Sequence, residues 1–331
     1  MNLANEKKDM ESNKSSPSFR GLGGIIFMGT PEFAVPSLDK LLQADYNIVA
    51  VITAPDKPAG RGMQLQQSPI KKFALEKGLK ILQPEKLKDE FFLQELKSFN
   101  ADLQVVVAFR MLPEVVWNMP PLGTINLHAS LLPQYRGAAP INWAIINGEK
   151  ETGATTFKLQ HQIDTGNILL QEKIPIGEED TAGELHDRMK EIGAELLVKT
   201  VMGLVDGTLK QIPQSTLSPE EGESEWRLHA PKLSTDTSKI QWTKTVDEVY
   251  NVIRGLSPYP GAFTLLNGKT LKIYKATKEI IQPLIVAGEY ESDKKTFVKF
   301  ACNNGYISIT ELQLEGKKRM SVEDFLKGYR F

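Results

Sequence analysis

The sequence predicts an α/β protein in which a mostly parallel sheet is followed by a small antiparallel β-barrel. Three observations predict it. From Gly24 onward short apolar runs alternate with amphipathic helical stretches; a proline-rich, acidic break falls at 207–238; and beyond the break several short β-rich runs are separated by turn signals. The 331 residues leave room for about two domains with buried cores.

Strands are expected at Gly24–Phe27, Ile48–Ile52, Lys80–Gln83, Leu103–Ala108 and Thr124–His128. Helical spacing over Ala34–Gln43, Ser68–Lys77 and Lys88–Phe99 supplies the crossovers that parallel strands require, so the pattern is Rossmann-like. Ala154–Gln160 and Ile168–Ile174 are rich in β-formers and flank a hairpin-like connection, His161–Asn167, closed by Thr165-Gly166. A long helix is expected from Thr181 to Val205, opened by Asp180-Thr181 with Glu184 placed to reach back. Pro213, Pro219, Pro231 and the acidic run Glu220 to Glu225 mark 207–238 as a linker. After it come a helix at Val246–Gly255 and strands near Gly261–Leu266, Thr270–Ala276, Thr296–Ala301 and Tyr306–Gln313, with turns at Asn267-Gly268 and Asn304-Gly305. That set fits a small barrel of the oligonucleotide-binding (OB-like) type. The expected organisation is therefore a flexible tail at 1–23, a catalytic domain at 24–206, the linker at 207–238 and an OB-like domain at 239–331.

Composition narrows the function classes. The 40 basic and 41 acidic residues give a net charge of −1, so nucleic-acid binding must come from a local patch. The single cysteine, Cys302, excludes an intramolecular disulfide and a multi-cysteine zinc site and fits a reducing compartment, so a cytoplasmic location is expected. The apolar run Val105 to Phe109 is far shorter than the roughly 18 residues of a membrane-spanning helix. Residues 1–20 lack the apolar stretch of a signal peptide, and no membrane association is expected.

The most informative stretch is TINLHASLLPQYRGAAP, from Thr124 to Pro140. On a strand, Asn126 and His128 leave the same face and Leu127 enters the opposite layer, which sets a hydrogen-bond donor beside a base. Leu131-Leu132-Pro133 offers apolar walls, and Pro133, Gly137 and Pro140 enforce a loop that can hold a flat ligand. Asp164, in Asp164-Thr165-Gly166, could complete an Asn–His–Asp set, since a carboxylate beside an imidazole fixes its tautomer. The same tripeptide marks aspartic proteases, but that chemistry needs a second copy, and the chain has none. No zinc-type spacing joins His128, His161 and His186, so no metal is expected. Gly29 is not followed by the glycine pattern of a dinucleotide site. The stretch Ala54–Lys72 reads as a long loop without regular structure, whose Lys57, Arg61, Lys71 and Lys72 suit phosphate contacts.

These residues carry a resemblance. IIFMGTPEFAVPSLDKLL, TAPDKPAGRG with SPIKKFA, GTINLHASLLPQYRGAAPINWAI, IDTGNILLQEKIPI, PKLSTDTSKIQW, RGLSPYPGAF and GKKRMSVEDFLKG occur in order over roughly 24–328 and resemble the methionyl-tRNA formyltransferases, within the folate-dependent formyltransferase group. The resemblance implies transfer of a formyl group from 10-formyltetrahydrofolate to the α-amine of methionyl initiator tRNA for translation initiation. It implies that Asn126 and His128 polarise the formyl oxygen and that Asp164 tunes proton transfer. It further implies folate contacts at Ser130, Leu131, Leu132 and Pro133, and tRNA contacts at Arg61 and Lys232. The expected partners are initiator methionyl-tRNA and folate, and a monomer is expected. The chain departs from the family's usual Tyr-Gly pair at Phe109-Arg110-Met111-Leu112-Pro113, and no folate contact is carried over there.

Two other readings compete. A formyltransferase acting on a small amine, such as an amino-sugar nucleotide or glycinamide ribonucleotide, would use the same three residues; residues 208–331 argue against the single-domain glycinamide enzyme, and the basic loop is the discriminator against the nucleotide-sugar enzymes, which can carry a similar second domain. A non-catalytic RNA-binding protein on the same scaffold would lack Asn126, His128 or Asp164, and all three are present.

Overall fold

The computed structural model describes residues 22–59, 64–217 and 228–329, which form two compact units, 22–124 with 201–209 and 125–200 with 210–329. Of the expected tail at 1–23, residues 1–21 lie outside the described residues, as does the run Glu220 to Glu225, whereas Leu22 is buried and the Gly23 N–H donates to Asp102 Oδ2.

The first unit contains, in order, β1 (Ile25–Gly29), α1 (Val35–Gln43), β2 (Ile48–Ile52), β3 (Lys57–Ala59), β4 (Gln64–Gln66), α2 (Pro69–Glu76), β5 (Ile81–Leu82), α3 (Glu90–Ser98), β6 (Leu103–Val107) and the short α4 (Glu114–Trp117). β1 pairs in parallel with β2 and β6, and β2 with β5. Every residue of β1 and of β6 is buried, which is why both are apolar with no alternation, apart from the buried Gln104 of β6. Ser68 caps α2 by accepting from the Lys71 N–H at 3.1 Å, and Asp89 caps α3 by accepting from the Phe92 N–H at 3.0 Å.

The loop after β2 is not devoid of regular structure. β3 pairs antiparallel with β4 through Lys57↔Gln66 and Pro58↔Leu65. A two-stranded ribbon has only edges, so it tolerates Pro58, whose missing N–H costs no interior ladder bond.

The second unit takes up β7 (Thr124–His128) from Ile125 and continues with β8 (Arg136–Gly137), α5 (Pro140–Ile146), β9 (Glu151–Lys158), β10 (Ile168–Pro175) and α6 (Ala182–Val205) as far as Thr200. β9 pairs antiparallel with both β7 and β10, which makes the expected hairpin. α6 opens as its sequence predicts: the Thr181 N–H donates to Glu184 at 2.9 Å and the Glu184 N–H donates to Thr181 Oγ1 at 3.3 Å.

The expected linker holds more structure than its composition predicts. A 3-10 turn at Gln214–Leu217, β11 (His229–Ala230) and α7 (Thr235–Ser238) lie within it. β11 pairs in parallel with β8, Arg136↔His229 and Gly137↔Ala230. A two-residue ladder has no periodicity of its own, so only its distant partner reveals it.

The chain ends in α8 (Val246–Gly255), β12 (Ala262–Leu266), β13 (Lys269–Glu279), β14 (Tyr290–Ser292), β15 (Val298–Cys302), β16 (Gly305–Leu314), β17 (Met320–Ser321) and α9 (Val322–Gly328). The sheet order is β12-β13-β16-β15-β14, with β17 on β16. It is antiparallel and curls as a half-barrel: register shifts in β13 between Ile273 and Ala276 bend the strand as bulges do. Val249, Ile253, Ile273, Phe300, Ile307 and Leu312 fill its core, where Trp242 stacks on Phe300 at 4.6 Å. α8 fastens this part to the α/β part of the same unit. Its buried Arg254 donates from Nη1 to the carbonyls of Gly177 and Asp180, each at 3.1 Å, and the Gly255 carbonyl accepts from Asn142 Nδ2 at 2.8 Å.

Candidate active site

β7 separates its side chains as period-two geometry requires. Leu127 is buried on the layer of α6, where a Cβ on Gly193 would press on it, while Asn126 and His128 share the other face. Asn126 is half-buried, and its amide has no hydrogen-bond partner among the described residues. His128, the last residue of β7, is only 7% exposed.

The tautomer of His128 is set by a different neighbour from the one expected. Its Nε2 lies 2.9 Å from the Tyr135 carbonyl, which can only accept, so Nε2 carries the proton. Nδ1 then faces Asp164 Oδ2 at 3.9 Å, beyond hydrogen-bond length but within strong electrostatic reach. Tyr135 holds that carbonyl in place by unusual means. Its backbone sits at φ +58°, its N–H donates to the Leu228 carbonyl, and its buried hydroxyl donates to Glu149 Oε1 at 2.7 Å. Burial and the adjoining Glu149 carboxylate push that hydroxyl's pKa well above the ordinary tyrosine value.

Asp164 is fixed by close backbone packing. It occupies the left-handed region at φ +54°, which aspartate tolerates better than most residues, and its Oδ2 accepts from the Gly137 N–H at 3.0 Å. Gly137 lies at φ +126°, and a Cβ there would collide with the Ala230 carbonyl of β11. Gly166 is pressed as hard against the Lys158 carbonyl, so Asp164-Thr165-Gly166 needs its last residue to lack a side chain. Gln214 closes the arrangement from the linker: its Nε2 donates to the carbonyls of Asp164 at 2.9 Å and Gly166 at 2.8 Å, and its Oε1 accepts from Arg136 Nε at 3.1 Å.

The run Ser130 to Pro133 is shaped by Thr155. This hydroxyl donates to the Ser130 carbonyl at 2.6 Å and accepts from the Leu132 N–H at 3.1 Å and Gln171 Nε2 at 2.9 Å, which uses its full capacity. Ser130, Leu132 and Pro133 are buried, the Leu132–Pro133 peptide is cis, and Leu131 is half-exposed. Leu132 packs with Phe157 and Ile168.

The remaining candidates are dispersed. Arg61 lies outside the described residues. Lys71 is bound to Asp56 at 2.5 Å, and that pair, with Gln83, holds the Asp56 carboxyl below the usual range, so Lys71 is not a free cation. Lys57 and Lys72 are exposed. Lys232 is exposed just past β11, beyond Pro231, whose carbonyl accepts from Trp143 Nε1 at 2.8 Å. His161 and His229 are exposed. Cys302 is packed in β15, and burial pushes its thiol up to about 12. Among the described residues no helix is long and apolar enough to cross a membrane. The sequence reading missed Tyr135, Thr155 and Gln214. Tyr135 stands inside the informative stretch, but a carbonyl's role leaves no mark on residue identity, and Gln214 sits in a segment with no periodic signal.

The fold and the site define a formyl transferase: the family described as Formyl transferase matches residues 24–201, and Formyl transferase, C-terminal domain, matches 232–330. A methionyl-tRNA formyltransferase of Parabacteroides distasonis is 52% identical over 92% of this chain and 95% of its own, and one of Azobacteroides pseudotrichonymphae is 54% identical over the same shares. The chain belongs to the methionyl-tRNA formyltransferase family. A crystal structure of a sugar 3N-formyl transferase in the presence of dTDP and 5-N-formyl-THF aligns with a TM-score of 0.63 at 24% identity, covering 89% of this chain and 98% of that one. At that identity the likeness concerns the fold.

Proposed function

We propose that the protein transfers the formyl group of 10-formyltetrahydrofolate to the α-amine of methionine carried by initiator tRNA. The observation that carries this reading is the Asn126 amide, unpartnered among the described residues, beside a histidine whose Nε2 proton is committed elsewhere. The amine attacks the formyl carbon and forms a tetrahedral oxyanion. Asn126 Nδ2 donates to that oxygen, an interaction that strengthens as charge develops. His128 Nδ1, left as the basic nitrogen, takes the ammonium proton, and Asp164 at 3.9 Å stabilises the resulting imidazolium. Collapse breaks the bond to N10 of the folate, and the proton returns to that nitrogen.

In this reading Ser130, Leu131, Leu132 and Pro133 hold the folate, mainly through backbone and the half-exposed Leu131, because the other three side chains are buried. Arg61 and Lys232 contact the acceptor end of the tRNA. The chain is organised as a catalytic domain at 24–206, a linker at 207–238 and a C-terminal domain at 239–331, and works as a cytoplasmic monomer without a metal. The deciding experiment is transfer of labelled formyl from 10-formyltetrahydrofolate, with initiator methionyl-tRNA, elongator methionyl-tRNA and amino-sugar nucleotides as competing acceptors. Preference for the initiator species supports the reading. Transfer to an amino-sugar nucleotide in preference to tRNA overturns it.

A further inference from the structure

Gln214 belongs to a segment whose composition marks it as a linker, yet it is 3% exposed and every polar atom of its side chain is used. Its contacts converge on one object. The bond from the Gly137 N–H to Asp164 Oδ2 joins two loops, and Gln214 grips both: Asp164 and Gly166 by their carbonyls, and Arg136, the residue before Gly137, by its guanidinium. Asp164 has no such restraint from its own turn, where Thr165 Oγ1 donates to Gln162.

We infer that Gln214 is a positioning residue for formyl transfer, which sets the distance and direction of the Asp164 carboxylate from His128 Nδ1. The inference rests on the proposed role of Asp164. An amide is suited to the task because it donates twice to carbonyls at one end and accepts from a cation at the other. A glutamate of the same size keeps the acceptor but cannot make either donation while ionised, so the Asp164 loop would be pushed away.

The test compares Gln214→Glu, Asp164→Asn and the double variant in the full-length enzyme, with Gln214→Met as a second probe that keeps the volume. In steady-state transfer to methionyl-tRNA, Gln214→Glu is expected to lower kcat by about tenfold to a hundredfold, as small misplacements of reacting groups do. Both KM values should stay within about twofold. The acid limb of its kcat–pH profile should move as in Asp164→Asn, and adding Gln214→Glu to Asp164→Asn should cost nothing further. A normal kcat, or a full multiplicative loss on the Asp164→Asn background, overturns the inference. So does loss of folding in both Gln214 variants, since a structural role then accounts for the residue. Normal transfer by Asp164→Asn is a separate result: it removes the role proposed for Asp164 itself.

Discussion

His128 and Tyr135 are joined by a 2.9 Å hydrogen bond from imidazole Nε2 to a backbone carbonyl. A carbonyl cannot donate a proton, so this contact places the hydrogen on Nε2 and leaves Nδ1 facing Asp164 without a hydrogen bond to its carboxylate. The carboxylate is thereby free to act as an electrostatic partner at 3.9 Å.

In the proposed reaction Asn126 supplies the donor for the developing oxyanion. Asn126→Ala should lose on the order of 10²–10³ in kcat, with the melting temperature unchanged, because the amide makes no bond in the folded chain among the described residues. Steady-state formylation with circular dichroism melting checks both halves. Near-wild-type turnover would remove Asn126 from the mechanism.

Gly137 is tested through its backbone. Gly137→Ala introduces a Cβ at φ +126° and against the Ala230 carbonyl, so β8 and β11 must part and the donor to Asp164 Oδ2 must move. Turnover is expected to fall by about tenfold or more, with a stability loss on the order of 1–3 kcal/mol. Urea titration and formylation kinetics measure the two, and an unperturbed variant would contradict the close approach described.

Asp180 gives a pH-dependent contribution to stability. Hydrogen bonds from Arg188 and from the Gly177 N–H hold its carboxyl below the ordinary aspartate value. A folded pKa below the unfolded one means that the stabilisation is complete above the unfolded value of about 4 and is lost as pH falls through the folded value. Asp180→Asn should therefore be less stable than the parent at pH 7, and the gap should close as the pH is lowered below 4. A gap independent of pH would rule out the ionised pair as its source.

Cys302 is the chain's single cysteine, so thiol chemistry reports on one site. With its pKa raised to about 12 by burial, it should resist an aromatic disulfide reagent in the native state at pH 8 and react fully, one thiol per chain, in denaturant. Rapid native labelling would show that β15 opens readily.

What was legible in the sequence is what local chemistry encodes. α8 runs from Val246 to Gly255 as expected, because Thr245 and Glu248 form a capping box and the apolar residues recur at helical spacing. The pairing of Asn126 with His128 on one face followed from the period of a strand. Contacts made by backbone groups far apart in the chain were not legible. The Tyr135 carbonyl, the β8–β11 ladder and the clamp at Gln214 depend on tertiary proximity, and the residues that make them obey no local pattern. The β3–β4 ribbon was hidden for a related reason: Pro58 argues against a strand except where both strands are edges.

The pairing of β8 with β11 bears on how this chain can be divided. The carbonyls of Leu228 and Ala230 accept from the N–H groups of Tyr135, Ala138 and Ala139. Residues 228–230 are therefore bonded to the loop that follows His128, and a polypeptide cut at residue 207 would bare donors in that loop. Modularity visible in the order of the sequence stops at this loop, where segments distant in the chain share a single hydrogen-bonded frame.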